Sequence, residues 1–590
     1  MKADAKGLKF LSMEGKVKIP FFQRTYVWNE ENWEDLLNEL LREDKKNNFL
    51  GAIILKQLPK ISGEPSQLEV IDGQQRLTTL SILLKALYDT FSDEETKRNC
   101  ESDIKSILRY RKDYTSSNYE VRIEHSRADS EAYGKVIEDT LNIDQINEDS
   151  HLILRCYKYF FQKLENMGES KRKELLNRIL NPENKMLVVI DLDEKDDEQE
   201  IFDTLNTAGV RLTIAEIVKN AIFKRAIELS NKDETIRLYH DTWQKTFLND
   251  EETIKYWETE MATGRLKRDN IEILLHCIGV IKGFYDPDKH TLSELSKLYK
   301  EQLRTIDSMD KLKWFINEII EYAKIYREKI VSFDKSDSLS FGDSIDRLLH
   351  ILQELEISTF HPFLLFVLKN YQNENDKITE ILNKLEKFII RNMLAKIENV
   401  KNYNKICKQF IADIFHLDNK LREISWDRSK SGLQNISNRD AALILFWIEL
   451  SRRDKDNRYD EKELKYDYTL EHIMPIKWEE YWNFDHVPHP NSTLSPEEQR
   501  EDRNKKIFWL GNMTLLKSKL NTALRNQSFG KKINGEGKKK GIRHYATLSI
   551  TKEDIVALYD KGDTIWNEEK IENRTKRLEE EIKKIWGDEL

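Results

Sequence analysis

Polar and apolar positions follow three different rhythms along this chain. Over the first 226 residues, short runs rich in β-branched side chains, KVKIP, GAIILKQL and QLEVIDGQQR, predict strands, the last of them running into a turn at Asp72-Gly73. RLTTLSILLKALYDTF then takes up helical spacing, with Leu77, Leu80, Leu84 and Leu87 on one face. A helical insertion over about 92–184 separates these elements from a further strand, KMLVVIDLD, and from two helical segments joined by an Asn-Thr-Ala-Gly turn. Strands alternating with helices predict an α/β or α+β unit.

From 227 to about 455 the pattern is that of amphipathic helices with no repeat of fixed period, which predicts a helical scaffold. His276, His350, His361 and His416 lie within it at no metal-ligand spacing and read as packing or surface histidines. After Tyr466 a strand ends at Glu471-His472, and a loop rich in Trp and Pro follows. IFWLGNMTLLKSKLNTALRNQSFGKK then reads strand, turn and short helix, before a terminal amphipathic helix. The expected organisation is therefore mainly α with α+β ends, divided at 1–226, 227–455 and 456–590.

Composition sharpens this outline. A chain of 590 residues exceeds one hydrophobic core. Its charged fraction of 34%, with only 20 Gly and 10 Pro, fits helices with charged outer faces. Cys100, Cys156, Cys277 and Cys407 are scattered, which argues against a zinc knuckle or a disulfide framework and makes a reducing cytoplasm the expected compartment. No run of about 18 apolar residues occurs, so no membrane span is expected. The net charge of −9 speaks against a protein coated in nucleic acid, but from Asp502 to Tyr545 twelve Lys or Arg face two acids. Such a local cationic field suits one module gripping a polyanion.

DYTLEHIMPIKW sets Glu471 beside His472 at a strand end, with Pro475 compatible with a bend. Metal-assisted phosphodiester cleavage needs an oxygen ligand for a hard divalent cation and a neutral imidazole to take a proton from water. Asn512, in the Gly-Asn turn of WLGNMTLL, could orient the histidine; Asn521 offers an amide oxygen to a metal from the start of a helix. His486 and His489 in DHVPHP rank second, because they sit in a Pro-rich loop.

Two N-terminal segments also carry chemistry. In IPFFQRTYVW, Gln23, Arg24, Tyr26 and Trp28 combine a guanidinium that can fork onto phosphate with rings that can stack on a base, the chemistry of DNA contact or modification sensing. A buried aromatic cluster is the plainer alternative. In VIDGQQRLTTL, Asp72 could place Mg²⁺ or a water, and Gly73 removes a side chain where phosphate would approach. Gln74, Gln75 and Arg76 then stand at a helix N-terminus. No Walker motif occurs in the chain.

IPFFQRTYVW, FLGAIILKQ, VIDGQQRLTTL and IFDTLNTAGVRLTIAEIVKN, in that order, resemble the N-terminal domain of GmrSD-type proteins, whose core is similar to the ParB/sulfiredoxin nucleotide-binding fold. The resemblance implies GTP or ATP binding and hydrolysis at Asp72 to Arg76, with Asn206 and Arg211 lining the same cleft. EHIMP, GNMTLL and LN…F..K resemble the HNH, or His-Me finger, ββα-metal nuclease fold. That implies His472 as general base, Glu471 and Asn521 as ligands to Mg²⁺ or Mn²⁺, Asn512 holding the imidazole, and Lys531 and Lys532 facing phosphate. The whole chain resembles a single-polypeptide GmrSD-family type IV restriction endonuclease. The expectation that follows is nucleotide-regulated cleavage of modified, double-stranded phage DNA in the cytoplasm, with the choice between monomer and homodimer left open. Two alternatives stand beside it: a DNA-modification sensor with a vestigial nuclease site, and an abortive nuclease acting on RNA or host DNA.

Overall fold

A computed structural model describes residues 2–42, 48–58, 65–111, 118–138, 140–192, 213–263, 266–331, 333–334, 336–537 and 539–587. They belong to two compact units, 1–239 and 240–590.

The first unit is built on a six-stranded mixed sheet. Its strands are β1 (Lys2–Lys6), β2 (Lys16–Lys18), β3 (Gly51–Gln57), β4 (Gln67–Asp72), β5 (Ile123–Glu124) and β6 (Leu187–Leu192), in the order β1-β6-β3-β4-β2-β5. β3 pairs in parallel with β6, Ile54 opposite Ile190, and antiparallel with β4. Between Ile54, which faces Asp72, and Leu55, which faces Val70, the register slips. Ile71 is the extra residue left unpaired by this bulge, and Asp72 closes the ladder opposite Ile54. Gly73 follows at φ 88°, and a Cβ there would come within 3.0 Å of Ile53 and 3.1 Å of Ala52. Glycine is required twice over, by its left-handed backbone and by the closeness of β3.

Helix α1 (Glu30–Leu41) starts in a capping box on Asn29, and α2 (Gln74–Asp89) starts from Gly73. Hydrophobic spacing predicts one buried face for α2, yet every residue from Leu77 to Leu87 is buried, because sheet and helices surround it. Its polar side chains are satisfied locally, as buried groups must be. Thr79 Oγ1 donates to the Gln75 carbonyl at 2.8 Å, Ser81 meets the Tyr133 hydroxyl at 2.8 Å, and Lys85 Nζ reaches Asp89 at 2.6 Å. Helix α3 (Leu152–Glu165) packs along α2.

The expected helical insertion is not wholly helical. Residues 109–111 pair with 119–121, and β5 extends the main sheet. The period-two run Tyr119, Val121, Ile123 is the local cause. Arg122, buried between these strands, donates to the carbonyls of Ile107, Gly15 and Arg109 at 3.0, 2.7 and 2.7 Å. The unit continues into α4 (Ile214–Leu229), capped by Thr213 and Glu216. Asn206 and Arg211 lie outside the described residues.

The second unit is largely helical. α5 (Asn270–Lys282), α6 (His361–Asn370) and α7 (Tyr403–Ala412) pack on one another, and α8 (Asn438–Lys455) is buried through its middle from Ala441 to Ser451. α8 lies against the antiparallel hairpin of β7 (Tyr468–His472) and β8 (Met513–Lys517), so the helical scaffold and the C-terminal region share one compact unit. Between and after these strands come α9 (Pro496–Lys506), α10 (Ser518–Leu524), α11 (Phe529–Asn534) and α12 (Glu568–Trp586). All four cysteines are buried and free. Among the described residues no helix is long and apolar enough to cross a membrane.

His125, fully enclosed beside Thr78 and Tyr133, has its pKa lowered to about 4, chiefly by burial. The unfolded chain takes up that proton near 6.5, so the contribution is complete above this value and is lost as pH falls toward 4. Urea unfolding should show this as about 2 kcal/mol of stability lost between pH 7 and about pH 4.5. His125→Gln should reduce the pH dependence by that amount; an unchanged slope contradicts the assignment.

Candidate functional site

β7 and β8 pair from Tyr468 opposite Lys517 to His472 opposite Met513, and α10 follows directly. Forty residues separate the strands, and their loop is closed by a buried amide. Asn512 uses both ends of its side chain: Oδ1 accepts from the Met474 N–H at 2.9 Å and from Trp566 Nε1 at 3.2 Å, while Nδ2 donates to the carbonyls of Met474 and Ile507 at 2.8 and 3.0 Å. It is wholly buried, so each of these bonds replaces one that water would otherwise make. Gly511 beside it lets α12 pass: its N–H donates to Thr575 Oγ1 at 3.0 Å, and a Cβ would collide with the Ile571 carbonyl and Thr575. Arg574 of α12 adds bonds to the Gly511 and Met513 carbonyls at 2.9 and 2.6 Å.

The rest of the loop hangs on Arg503. Its guanidinium pairs with Glu568, both side chains inaccessible to solvent, and donates to the carbonyls of Trp482 and Val487 at 2.5 and 2.7 Å. It also lies 4.2 Å from the ring of Phe484. Removing one partner of such a buried pair costs about 3–5 kcal/mol. His486 and His489 are held within this loop, by Asn483 and by Asp502 at 3.0 Å respectively.

His472 is fixed on both ring nitrogens. Nδ1 lies 3.1 Å from the Ile507 carbonyl, the same carbonyl that Asn512 holds, and Nε2 lies 3.1 Å from the side-chain oxygen Oδ1 of Asn438, the first residue of α8. Asn512 thus reaches the imidazole through a shared carbonyl. A carbonyl only accepts, so Nδ1 carries the proton. Burial lowers the pKa of His472 and favours the neutral ring, whose Nε2 keeps its lone pair. As placed, Asn438 presents its amide oxygen to Nε2, so a neutral ring with its proton on Nδ1 requires that amide turned to offer its N–H.

Glu471 and Lys532 form a buried pair. Lys532 Nζ contacts Glu471 Oε1 at 2.5 Å and donates to the His472 carbonyl at 2.8 Å. Burial pushes the carboxyl up and the ammonium down, and each partner opposes that shift in the other. Asn521 Nδ2 donates to Thr469 Oγ1 and the Leu470 carbonyl at 3.0 and 2.8 Å. Glu471 Oε2 and Asn521 Oδ1 take no part in these bonds and are oxygens of the type a hard divalent cation takes. Among the described residues no three His, Cys, Asp or Glu side chains gather to hold a metal.

The basic run divides in two. Arg503 and Lys532 are buried, and Lys506, Lys517, Lys531 and Arg543 pair with Glu572, Asp467, Glu536 and Asp560. Lys531 and Lys532, neighbours in sequence, therefore differ: one is exposed and paired with Glu536, the other sealed against Glu471. Lys519, Arg525, Lys539 and Lys540 remain exposed.

In the first unit the two N-terminal motifs clasp each other. Gln23 donates to the Val70 carbonyl at 2.7 Å, Gln74 to the Arg24 carbonyl at 2.9 Å, and Gln75 exchanges bonds with the Thr25 carbonyl and the Val27 N–H, both at 2.9 Å. Arg76 donates to the Ala52 carbonyl at 2.6 Å, and its guanidinium passes where a Cβ on Gly51 would sit. The side chains of Gln75 and Arg76 thus have structural partners, whereas Gln74 Oε1 is buried with none among the described residues. Tyr26 is sealed in the core, its hydroxyl joined to Thr79 at 2.6 Å and Trp33 at 2.8 Å, and has no face to offer a base; Trp28 packs against the same core. Burial raises the pKa of Asp72, against the opposing effects of the Gly73 N–H and Arg76.

Sequence reasoning missed α4's part in this cleft. Glu216 pairs with Arg24 at 3.3 Å, Asn220 offers its amide to the Phe22 carbonyl at 3.0 Å, and buried Lys219 has its pKa lowered to about 8, mainly by burial. The i, i+3, i+4 spacing of these polar residues on the first turns of the helix was the available signal.

Fold and site define a two-unit, mostly helical protein with a small mixed sheet at one end and a strand-loop-strand-helix module near the other. Residues 8–223 match the N-terminal domain model of the GmrSD restriction endonuclease, and 418–581 match the C-terminal domain model of GmrSD restriction endonucleases. The chain belongs to the GmrSD restriction endonuclease family. It is also 31% identical, over 86 residues, to an uncharacterized protein of Methanocaldococcus jannaschii, a match covering 11% of this chain and 14% of that relative's length.

Gly511→Ala should lower stability by about 3 kcal/mol, because the new methyl meets backbone of α12. Gly134→Ala, with open space at its Cβ, should leave the thermal melting curve nearly unchanged. Equal melting curves for the two variants would count against the packing described.

Proposed function

We propose that the module around His472 is an HNH-type phosphodiesterase that cuts modified, foreign double-stranded DNA. The observation that carries this is the position of the His472 imidazole, its Nδ1 3.1 Å from the Ile507 carbonyl that Asn512 also holds, with burial favouring the neutral ring. Nε2 takes a proton from the attacking water, whose oxygen bonds to phosphorus as the ester P–O bond breaks. Asn438 must yield or share its place at Nε2 for that water to enter. Lys519 of α10 and Arg525 just after it are exposed and suit contacts to the phosphate backbone.

Mg²⁺ or Mn²⁺ would be held by Glu471 Oε2 and Asn521 Oδ1, and when bound supplies positive charge against the phosphate and the leaving oxygen. Lys532 orients Glu471 and opposes the burial that favours its neutral form. In the first unit, Asp72, Lys219 and the unpartnered Gln74 Oε1 are the groups we assign to a nucleoside triphosphate, GTP or ATP, that regulates cleavage.

His472→Ala should lower cleavage of phage DNA carrying modified cytosine by about 10²–10⁴-fold and leave DNA binding intact. A variant that protects cells against phage as well as the wild type does would replace the nuclease with a modification sensor. Asp72→Ala and Lys219→Met should each weaken GTP or ATP binding measured by fluorescent-analogue titration. Unchanged binding in both would remove the nucleotide from this cleft.

A further inference from the structure

The helical part of the second unit holds a cavity outside both sites described above. α5, the start of α6 and α7 wall a space of about 120 Å³, whose polar lining includes Arg268, His276, Ser358, Thr359, His361 and Asn404. That is room for several waters or for an anion of four oxygens. All six of these side chains can donate a hydrogen bond, and among the described residues no carboxylate is in the lining. Asp269 and Glu272 neighbour Arg268 on its own segment but do not border the cavity.

The two histidines point to a ligand. Among the described residues neither ring has a hydrogen-bond partner; His276 meets only the edge of Tyr285. Both rings are only partly exposed, so their nitrogens open onto this space and are not sealed in the core. Burial holds both rings neutral, with Arg268 acting in the same direction. An anion placed between them would accept from their N–H groups and reverse that electrostatic penalty. α6 begins at His361, so its positive end faces the same space. The Phe363 N–H of its first turn already has an acceptor in the buried Cys407 sulfur, so the side chains supply most of the donors.

We propose that this cavity is a binding site for a small tetrahedral oxyanion of the phosphate or sulfate class, held by Arg268, His276 and His361. Its occupation would brace α5, α6 and α7 where they meet.

Isothermal titration of the full chain with inorganic phosphate, at constant ionic strength against chloride, should give saturable binding at one site outside the N-terminal cleft, and sulfate should compete for it. Asp72→Ala should leave this binding unchanged, whereas Arg268→Met and His361→Phe should each weaken it at least tenfold. Should Arg268→Met fail to fold, Arg268→Lys, which keeps the charge without the fork, should still weaken binding severalfold. The inference is overturned by wild type that binds no phosphate saturably, or by folded Arg268 and His361 variants that bind it as tightly as the wild type.

Discussion

One amide, that of Asn512, joins four parts of the C-terminal unit: the start of the long loop at Met474, its end at Ile507, the segment leading into the last helix at Trp566, and through Ile507 the ring of His472. An amide buried in this way has no compromise position. Any shift of the strand pair, the loop or α12 leaves a donor or acceptor without a partner, at about 1–3 kcal/mol each. The position of a functional side chain is therefore tied to contacts spread over nearly a hundred residues of sequence. Gly511, which lets α12 approach, belongs to the same joint.

Buried charge reinforces it. Arg503 on Glu568, Arg574 on backbone carbonyls, and Lys532 on Glu471 all place an ion where solvent cannot screen it. Such pairs add less net stability than hydrophobic replacements of equal shape, but they tolerate few alternative arrangements. The module is thus specified by polar satisfaction as well as by its apolar core around Trp478, Trp482 and Trp566. That suits a site where an imidazole must hold one proton on one nitrogen and approach a phosphate with the other.

Much of this was legible in the sequence, for identifiable reasons. Strands in GAIILKQL, QLEVIDG and KMLVVIDL came from short β-branched runs, and the Gly-Asn turn and EHIMP stood out as ordered motifs. Side-chain direction was not legible. Lys531 and Lys532 looked equivalent until α11 sent one to solvent and the other under β7. Tyr26 resembled a stacking platform, and only the neighbouring Thr79, Trp33 and Cys156 reveal a core residue. Gln75 and Arg76, matched to phosphate contact by type, fasten one motif to another and to β3. Lys219 and Asn438 went unnoticed because their meaning depends on elements distant in sequence.

The central claim is that the Ile507 carbonyl, held by Asn512, fixes the proton of a neutral His472 on Nδ1. Imidazole nitrogen-15 NMR of histidine-labelled protein at neutral pH, with His472 assigned by its loss in His472→Ala, tests this most directly. The account predicts a protonated Nδ1 and a bare Nε2. A ring protonated on Nε2 alone, or on both nitrogens, would contradict it.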